Sequence, residues 1–120
     1  MSGKLRIARI YDDPSEDDGY RILADRLWPR GMKKENAHLD AWLKSISPSN
    51  DLRRQYHKDG NYDAFAEKYR DELEQNEDTP ALLAVVKEHL EQENVTLLSA
   101  SKNINACNVS VLQAYLLERI

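Results

Sequence analysis

The residues of this chain best suited to chemistry lie in the segment Gly19 to Gly31, where a short apolar run leads into arginines, an indole and a proline. Between residues 21 and 34 there are five basic side chains and one acid, Asp25, although the whole chain has a formal net charge of −4. Guanidinium groups bind carboxylates and phosphates through paired hydrogen bonds. The segment therefore predicts an anion site, with three arginines as candidate ligands: Arg21, Arg26 and Arg30.

An alternative is that these arginines are neutralised in a structural network. Asp25 lies among them, and residues 12 to 18 contain five further acids. The alternation of side chains along a strand also sends Arg21 and Asp25 to one face and Arg26 to the other. All three arginines can serve one site only if the turn rotates the end of the strand.

Trp28, Pro29 and Gly31 are expected to give this segment a fixed shape. Proline and glycine interrupt regular structure, and Gly31 is a candidate for positive φ. Trp28 could stack on an aromatic ligand or shield the arginines from water, although indoles more often anchor a core. We include Trp28 and Gly31 among the candidate binding residues, while noting that both would also suit a structural corner.

A second polar cluster follows the apolar run at 95–100. Its candidate ligand-binding residues are Ser99, Lys102, Asn103 and Asn108. The predicted final helix begins nearby, and a helix N-terminus attracts anions through its free N–H groups and its dipole. The cluster thus predicts a phosphate or carboxylate cradle, although it lacks the glycines of a phosphate loop.

Two residues are candidates for catalysis. Asp25 could act as a general acid or base, and a cysteine near a helix N-terminus, such as Cys107, would have a lowered thiol pKa. A lone cysteine is more often a small buried apolar residue. The three histidines are scattered without a ligand spacing, so we predict no metal site and no cofactor.

Composition indicates a single soluble globular domain over residues 1–120, with 41% apolar and 32% charged residues. The sequence pI of about 5.4 argues against a general nucleic-acid binder, because such binding needs a broad basic surface. No apolar run is long enough to cross a bilayer, and Met1 to Lys4 lacks the apolar core of a signal peptide. These features, with a single cysteine, predict a cytoplasmic protein that does not contact membranes.

The elements that must position the candidate residues are strands alternating with helices. Apolar runs predict strands at 5–10, 20–24 and 95–100, and residues 12–19 read as a mobile exposed loop. Helical spacing and caps predict helices at 50–58, 62–76, 79–93 and 105–119, with Ser49 and Thr79 as candidate caps. The segment 39–46 is compatible with either strand or helix.

This order of elements predicts an α/β fold: one compact domain with a mostly parallel sheet flanked by helices, in a Rossmann-like three-layer arrangement. Ligands of such sheets bind beyond the carboxyl ends of the strands. Residues 25–31 and 99–103 each directly follow a predicted strand. If those two strands are parallel neighbours, both polar clusters lie on the same rim.

The motifs Asp18-Gly19-Tyr20-Arg21, Asp25-Arg26-Leu27-Trp28-Pro29-Arg30-Gly31 and Ala100-Ser101-Lys102-Asn103 together resemble the family known as domain of unknown function 488, in its short YeaO-like branch. The resemblance covers nearly the whole chain and implies a compact α/β domain without a settled reaction. Relatives tend to have an Asn-His pair where this chain has Cys107-Asn108. Because Asn108 stands where relatives have a histidine, the resemblance does not imply a catalytic cysteine–histidine pair at this site.

Two functional hypotheses follow. In the first, the rim binds an anionic small molecule that bears a phosphate or a carboxylate, with the reaction, if there is one, unknown. In the second, the same rim and Trp28 form a non-enzymatic module that grips single-stranded nucleic acid or an acidic protein segment. A steep dependence of oligonucleotide binding on salt would favour the second hypothesis.

Overall fold

A computed structural model describes residues 3–120 as a four-stranded sheet with helices packed against it. The strands are β1 (Leu5–Arg9), β2 (Tyr20–Leu23), β3 (Ala41–Trp42) and β4 (Val95–Ser99). Their order across the sheet is β1-β4-β2-β3, and all three pairings are parallel. The predicted α/β fold with a parallel sheet is confirmed.

Five α-helices connect and cover the strands: α1 (Lys34–Ala37), α2 (Asn50–Asp59), α3 (Tyr62–Gln75), α4 (Thr79–Leu90) and α5 (Asn108–Leu117). The predicted cap of α2 is confirmed, because the Ser49 hydroxyl accepts a hydrogen bond from the Leu52 N–H at 3.2 Å. Asp78, not Thr79, occupies the N-cap position of α4, which places proline in its first turn. A short 3-10 turn at residues 104–106 precedes α5, so that helix starts three residues later than predicted.

The larger part of the core lies between one face of the sheet and the four longer helices. Ile22 of β2 and Leu97 of β4 are fully buried there, against Tyr69 of α3 and Leu112 of α5. All five residues of β4 are buried, which is typical of a central strand covered on both faces. The apolar run at 95–100 is continuous because both faces of this central strand are buried.

A smaller core covers the opposite face of the sheet. Leu23 and Leu98 are buried there against Trp28 and Trp42, and α1 supplies a single turn of helix to this layer. The ambiguous segment 39–46 forms the two-residue strand β3 followed by a 3-10 turn at 44–46. The second face is thus covered mainly by the connection between β2 and β3.

The prediction of a mobile exposed loop at 12–19 is wrong for the C-terminal part of this segment. Residues 16–18 form a 3-10 turn, and Asp18 is buried. The Asp18 carboxylate pairs with the buried Arg21 guanidinium, and its backbone oxygen accepts a hydrogen bond from Thr96 at 2.7 Å. Gly19 has a φ of 62°, and a Cβ there would lie 2.0 Å from the Asn94 carbonyl oxygen. The chain is therefore fixed where it enters β2.

No helix within residues 3–120 has the length and apolar character that a transmembrane span requires. The polar segment Met1 to Lys4 predicted no signal peptide. Two residues of that segment, Met1 and Ser2, lie outside the described residues.

Candidate functional site

The two polar clusters meet at the carboxyl end of the sheet, because β2 and β4 are parallel neighbours. Leu23 pairs with Leu98 in the register, and the Ala24 N–H donates to the Leu98 carbonyl at 3.1 Å. The turns that follow both strands consequently leave the sheet side by side. The expectation that residues 25–31 and 99–103 share one rim is confirmed.

Asp25 connects these turns through its carboxylate. One oxygen accepts a hydrogen bond from the Ala100 N–H at 2.8 Å. The other accepts from the Ser99 hydroxyl at 2.9 Å and from the Asn108 side-chain amide at 3.1 Å. Three neutral donors thus hold the carboxylate in place and stabilise its charged form.

A cavity of about 1030 Å³ opens at this rim. Its walls are the turn after β2, the turn after β4, the start of α5 and one side of α2. Among residues 3–120, its acidic lining residue is Asp25 alone, whereas four arginines line it: Arg26, Arg30, Arg53 and Arg54. A chain with a net charge of −4 therefore concentrates positive charge in one concave site.

Arg26 is half-buried at the cavity and lacks an acidic partner. Its Nη2 donates to the Pro48 carbonyl at 3.4 Å, while its Nε is buried without a hydrogen-bond partner. Within residues 3–120 the guanidinium forms no ion pair. A buried, unpartnered donor on a charged group is costly, so this side chain is suited to an anion supplied from outside.

Arg30 is exposed at the cavity, and its backbone is held in place by Tyr11. The Tyr11 hydroxyl donates to the Arg30 carbonyl at 2.8 Å, and the Arg9 guanidinium lies 5.4 Å from the centre of the Tyr11 ring. The described part of the chain offers no carboxylate partner to the Arg30 side chain. Two of the predicted arginines therefore reach the site without neutralisation.

Arg21 does not reach the cavity. It is buried with Asp18, and its guanidinium also donates to the carbonyls of Ala37 at 3.0 Å and His38 at 3.1 Å. Arg21 therefore belongs to a structural network, as the alternative interpretation of the arginines expected, because Asp18 and the carbonyls of Ala37 and His38 occupy its guanidinium. Gly31 and Lys102 also lie outside the lining, although Gly31 has the expected positive φ, 77°.

Trp28 lines the cavity with one part of its ring system and packs into the smaller core with the rest. Its Nε1 donates to the Met32 carbonyl at 2.7 Å, and its ring meets Trp42 edge to face at 5.2 Å. Both interactions fix the indole. Trp28 therefore shapes the wall of the site, as a core anchor would.

Cys107 lines the cavity but is not an activated nucleophile. Burial raises the pKa of its thiol, which is the reverse of the lowering expected near a helix N-terminus. Its sulfur lies 3.5 Å from the Ile104 carbonyl, to which the thiol donates. The desolvation of the thiolate outweighs the helix dipole here, so the expected lowering of the pKa is wrong.

Sequence reasoning missed the contribution of α2 to the site. Asn50, Arg53, Arg54 and His57 all line the cavity, and they are spaced at i, i+3, i+4 and i+7. That spacing places them on one side of the helix. The polar spacing is visible in the sequence once Ser49 marks the start of the helix, but it does not reveal which side of α2 faces the cavity.

The remaining candidates lie where they were expected. Ser99, Asn103 and Asn108 line the cavity, and Asn108 begins α5. Within residues 3–120 no group of three or more histidine, cysteine or acidic side chains is placed to hold a metal ion. The arrangement offers guanidinium groups, an amide and hydroxyls, which are donors suited to an oxyanion.

Comparison with known proteins places the chain among uncharacterised relatives. A family model described as "Inactive DUF488-N3 subclade" matches residues 4–120. The uncharacterized protein YeaO of Escherichia coli K12 is 41% identical over 113 residues, covering 93% of this chain and 96% of the relative. The uncharacterized proteins Mb3100c of Mycobacterium bovis and Rv3073c of Mycobacterium tuberculosis are each 34% identical over 110 residues, covering 91% of this chain and 90% of theirs. No solved structure matches.

Proposed function

Since this chain belongs to the DUF488 family, as a YeaO-like member, we propose that it binds an anionic small molecule bearing a phosphate or a carboxylate. The ligand occupies the cavity at the carboxyl end of β2 and β4. Arg26 and Arg30 bind its charged group, together with Asn103 and the N-terminus of α5. Family membership supports the fold, and the side chains of the cavity support the ligand class.

The observation on which the proposal depends is the unneutralised guanidinium of Arg26. An arginine with a buried, unpartnered Nε is stabilised when an oxyanion accepts from it. Asp25 forms no ion pair with Arg26 within residues 3–120, and its carboxylate accepts instead from Ser99, Ala100 and Asn108. An anion entering the cavity thus meets positive charge that the protein leaves open.

We propose binding without turnover. The matched subclade is described as inactive, and the two catalytic candidates of this chain are engaged in other roles. The Cys107 thiol is buried with a raised pKa, and the Asp25 carboxylate holds the rim together.

Thermal-shift titration with inorganic phosphate, sugar phosphates, nucleotides and dicarboxylates tests this function. A ligand that binds the native state raises the melting temperature, and the shift grows with the logarithm of the ligand concentration once that concentration exceeds Kd. We expect Arg30→Ala to remove the stabilisation by any ligand found, while the unliganded melting temperature changes by no more than a few degrees. The control is Lys87→Ala, which removes an exposed charge on α4 away from the cavity.

Two results would overturn the proposal. One is the absence of stabilisation by every anion at millimolar concentration. The other is an equal loss of stabilisation in Arg30→Ala and Lys87→Ala, which would indicate a general effect of net charge.

A second candidate is a non-enzymatic module for single-stranded nucleic acid, and it is favoured by Leu27, whose side chain lines the cavity and is 65% exposed. An exposed apolar residue beside arginines can contact bases while the arginines contact phosphates. Oligonucleotide binding whose log K falls with log salt by about 0.7 per phosphate would support this candidate. Saturable stabilisation by one small phosphate compound would support the first.

A further inference from the structure

The second cationic wall of the cavity is the side of α2 that carries Asn50, Arg53, Arg54 and His57. Helices usually turn an apolar stripe toward the protein and leave polar residues to solvent. In α2 the buried apolar residue is Leu52, and the polar stripe faces the cavity. Two guanidinium groups of α2 therefore line the same cavity as the turn that follows β2.

Arg53 is available to a ligand. Its Nη1 donates to the Asn50 side-chain oxygen at 3.2 Å, and within the described chain it forms no ion pair. Arg54 pairs with Asp51, but both side chains are largely exposed, at 74% and 91%. An exposed pair of this kind contributes little in water, so a ligand can replace it.

The two cationic walls are attached to separate elements. Arg26 and Arg30 lie on the turn after β2, whereas Arg53 and Arg54 lie on α2. The Tyr56 and Phe65 rings, which stack with centroids 4.5 Å apart, supply an uncharged part of the lining. The Tyr56 hydroxyl donates to the Ala106 carbonyl at 2.7 Å, and this bond fixes the ring.

The size of the cavity also exceeds what one oxyanion requires. Pockets of roughly 300–1,000 Å³ hold drug-sized ligands. The present cavity, at about 1030 Å³, is at the upper end of that range. A single phosphate at Arg26 and Arg30 would leave Arg53, Arg54 and the aromatic lining unused.

We propose that the natural ligand carries two anionic groups joined by an uncharged body, one bound by Arg26 and Arg30 and the other by Arg53 and Arg54. This inference rests on the proposed function and specifies its ligand class as a dianionic small molecule. The uncharged body lies against Tyr56 and Phe65. The face of α2 thereby selects bisphosphates or related compounds over single oxyanions.

Isothermal titration with α,ω-alkylene bisphosphonates of increasing chain length, each compared with the matching alkyl monophosphonate, tests the proposal. At one chain length we expect the bisphosphonate to bind about tenfold or more tightly than its monophosphonate, as charge-assisted hydrogen bonds at a second site would give. Arg53→Ala/Arg54→Ala should abolish that gain, so that each bisphosphonate binds this variant within about twofold of the matching monophosphonate. Arg53→Lys/Arg54→Lys should restore part of it.

Lys58→Ala is the matched control, because it removes an exposed charge from the same helix without altering the cavity lining. The proposal is overturned if no chain length improves on the monophosphonate by more than the statistical factor of about two. It is also overturned if the gain persists in the double alanine variant while circular dichroism shows an intact fold. Failure of both phosphonate series and of the matching mono- and dicarboxylates to bind would instead refute the proposed function, and the inference with it.

Discussion

The side-chain amide of Asn108 donates a hydrogen bond to the Asp25 carboxylate at 3.1 Å, and it donates a second to the Ala24 carbonyl at 3.0 Å. Asn108 is the first residue of α5, whereas Asp25 lies in the turn after β2. The pair therefore joins two walls of the cavity that are 83 residues apart in the chain. The rim is held in shape before any ligand arrives, which reduces the cost of ordering it on binding.

Asp25→Asn should lower the free energy of unfolding by about 1.5–3 kcal/mol, because charge-assisted hydrogen bonds are lost and an amide donor faces other donors. Urea denaturation measures this change. Asp13→Asn, at an exposed position, is the control and should change stability by less than about 0.5 kcal/mol. If the two variants are equally stable, Asp25 does not hold the rim.

Arg21→Ala should destabilise the protein by about 1.5–3 kcal/mol, because the buried Asp18 carboxylate keeps only Arg6, at 3.3 Å, as an ion-pair partner and the carbonyls of Ala37 and His38 lose a donor. Lys102→Ala should be almost neutral, since Lys102 is exposed and lies outside the cavity lining. Chemical denaturation of both variants provides the comparison. A stable Arg21→Ala protein that fails to bind phosphate would instead return Arg21 to the ligand site.

The Cys107 thiol should react with iodoacetamide at pH 8 about tenfold or more slowly in the native protein than in the unfolded chain. Its pKa is raised by burial, so the thiolate fraction at this pH is below that of a free cysteine, and access is restricted as well. Mass spectrometry of the alkylated protein gives both rates. A native rate equal to the unfolded rate would identify an accessible, activated thiol.

Stability should fall as the pH rises above 10. Tyr69 is fully buried and donates its hydroxyl to the Ile46 carbonyl at 2.6 Å, and burial raises the pKa of this hydroxyl well above the usual value of about 10. A raised folded-state pKa contributes stability that is fully present below the unfolded pKa and is lost as the pH rises. The slope for this group approaches about 1.4 kcal/mol per pH unit.

Tyr69→Phe tests this dependence. The variant should lose about 0.5–1.5 kcal/mol at neutral pH, because the Ile46 carbonyl loses its donor, and it should show a shallower decline above pH 10. Urea denaturation between pH 7 and 11 measures both effects. An unchanged alkaline slope would assign the decline to other groups, such as the Cys107 thiol and Tyr115, whose pKa values are also raised.

The elements with strong local signals were predicted correctly. Tyr62, Phe65, Tyr69 and Leu73 recur at helical spacing and form α3, and the apolar run at 95–99 forms the central strand. These patterns are reliable because one face of each element must be buried, and that requirement is written in the local order of residues. The placement of both polar clusters on one rim followed from the same pattern.

Other features depended on partners distant in sequence. Asp18 reads as one acid in an exposed loop, but its contacts with Arg21 and Thr96 bury it. The thiol pKa of Cys107 is set by how much protein surrounds it, which its position at a helix N-terminus does not reveal. Which side of α2 faces the cavity likewise depends on how α2 packs against α3.

The sequence by itself determined the family and the class of fold, because these follow from motifs and periodicity. Only the tertiary structure decided which arginines remain without partners. Arg21 and Arg26 are alike in the sequence, yet Arg21 is buried against Asp18 while the Nε of Arg26 is buried without a partner. The physical reason is that the environment of a buried charge is made by residues far apart in the chain, which folding alone brings together.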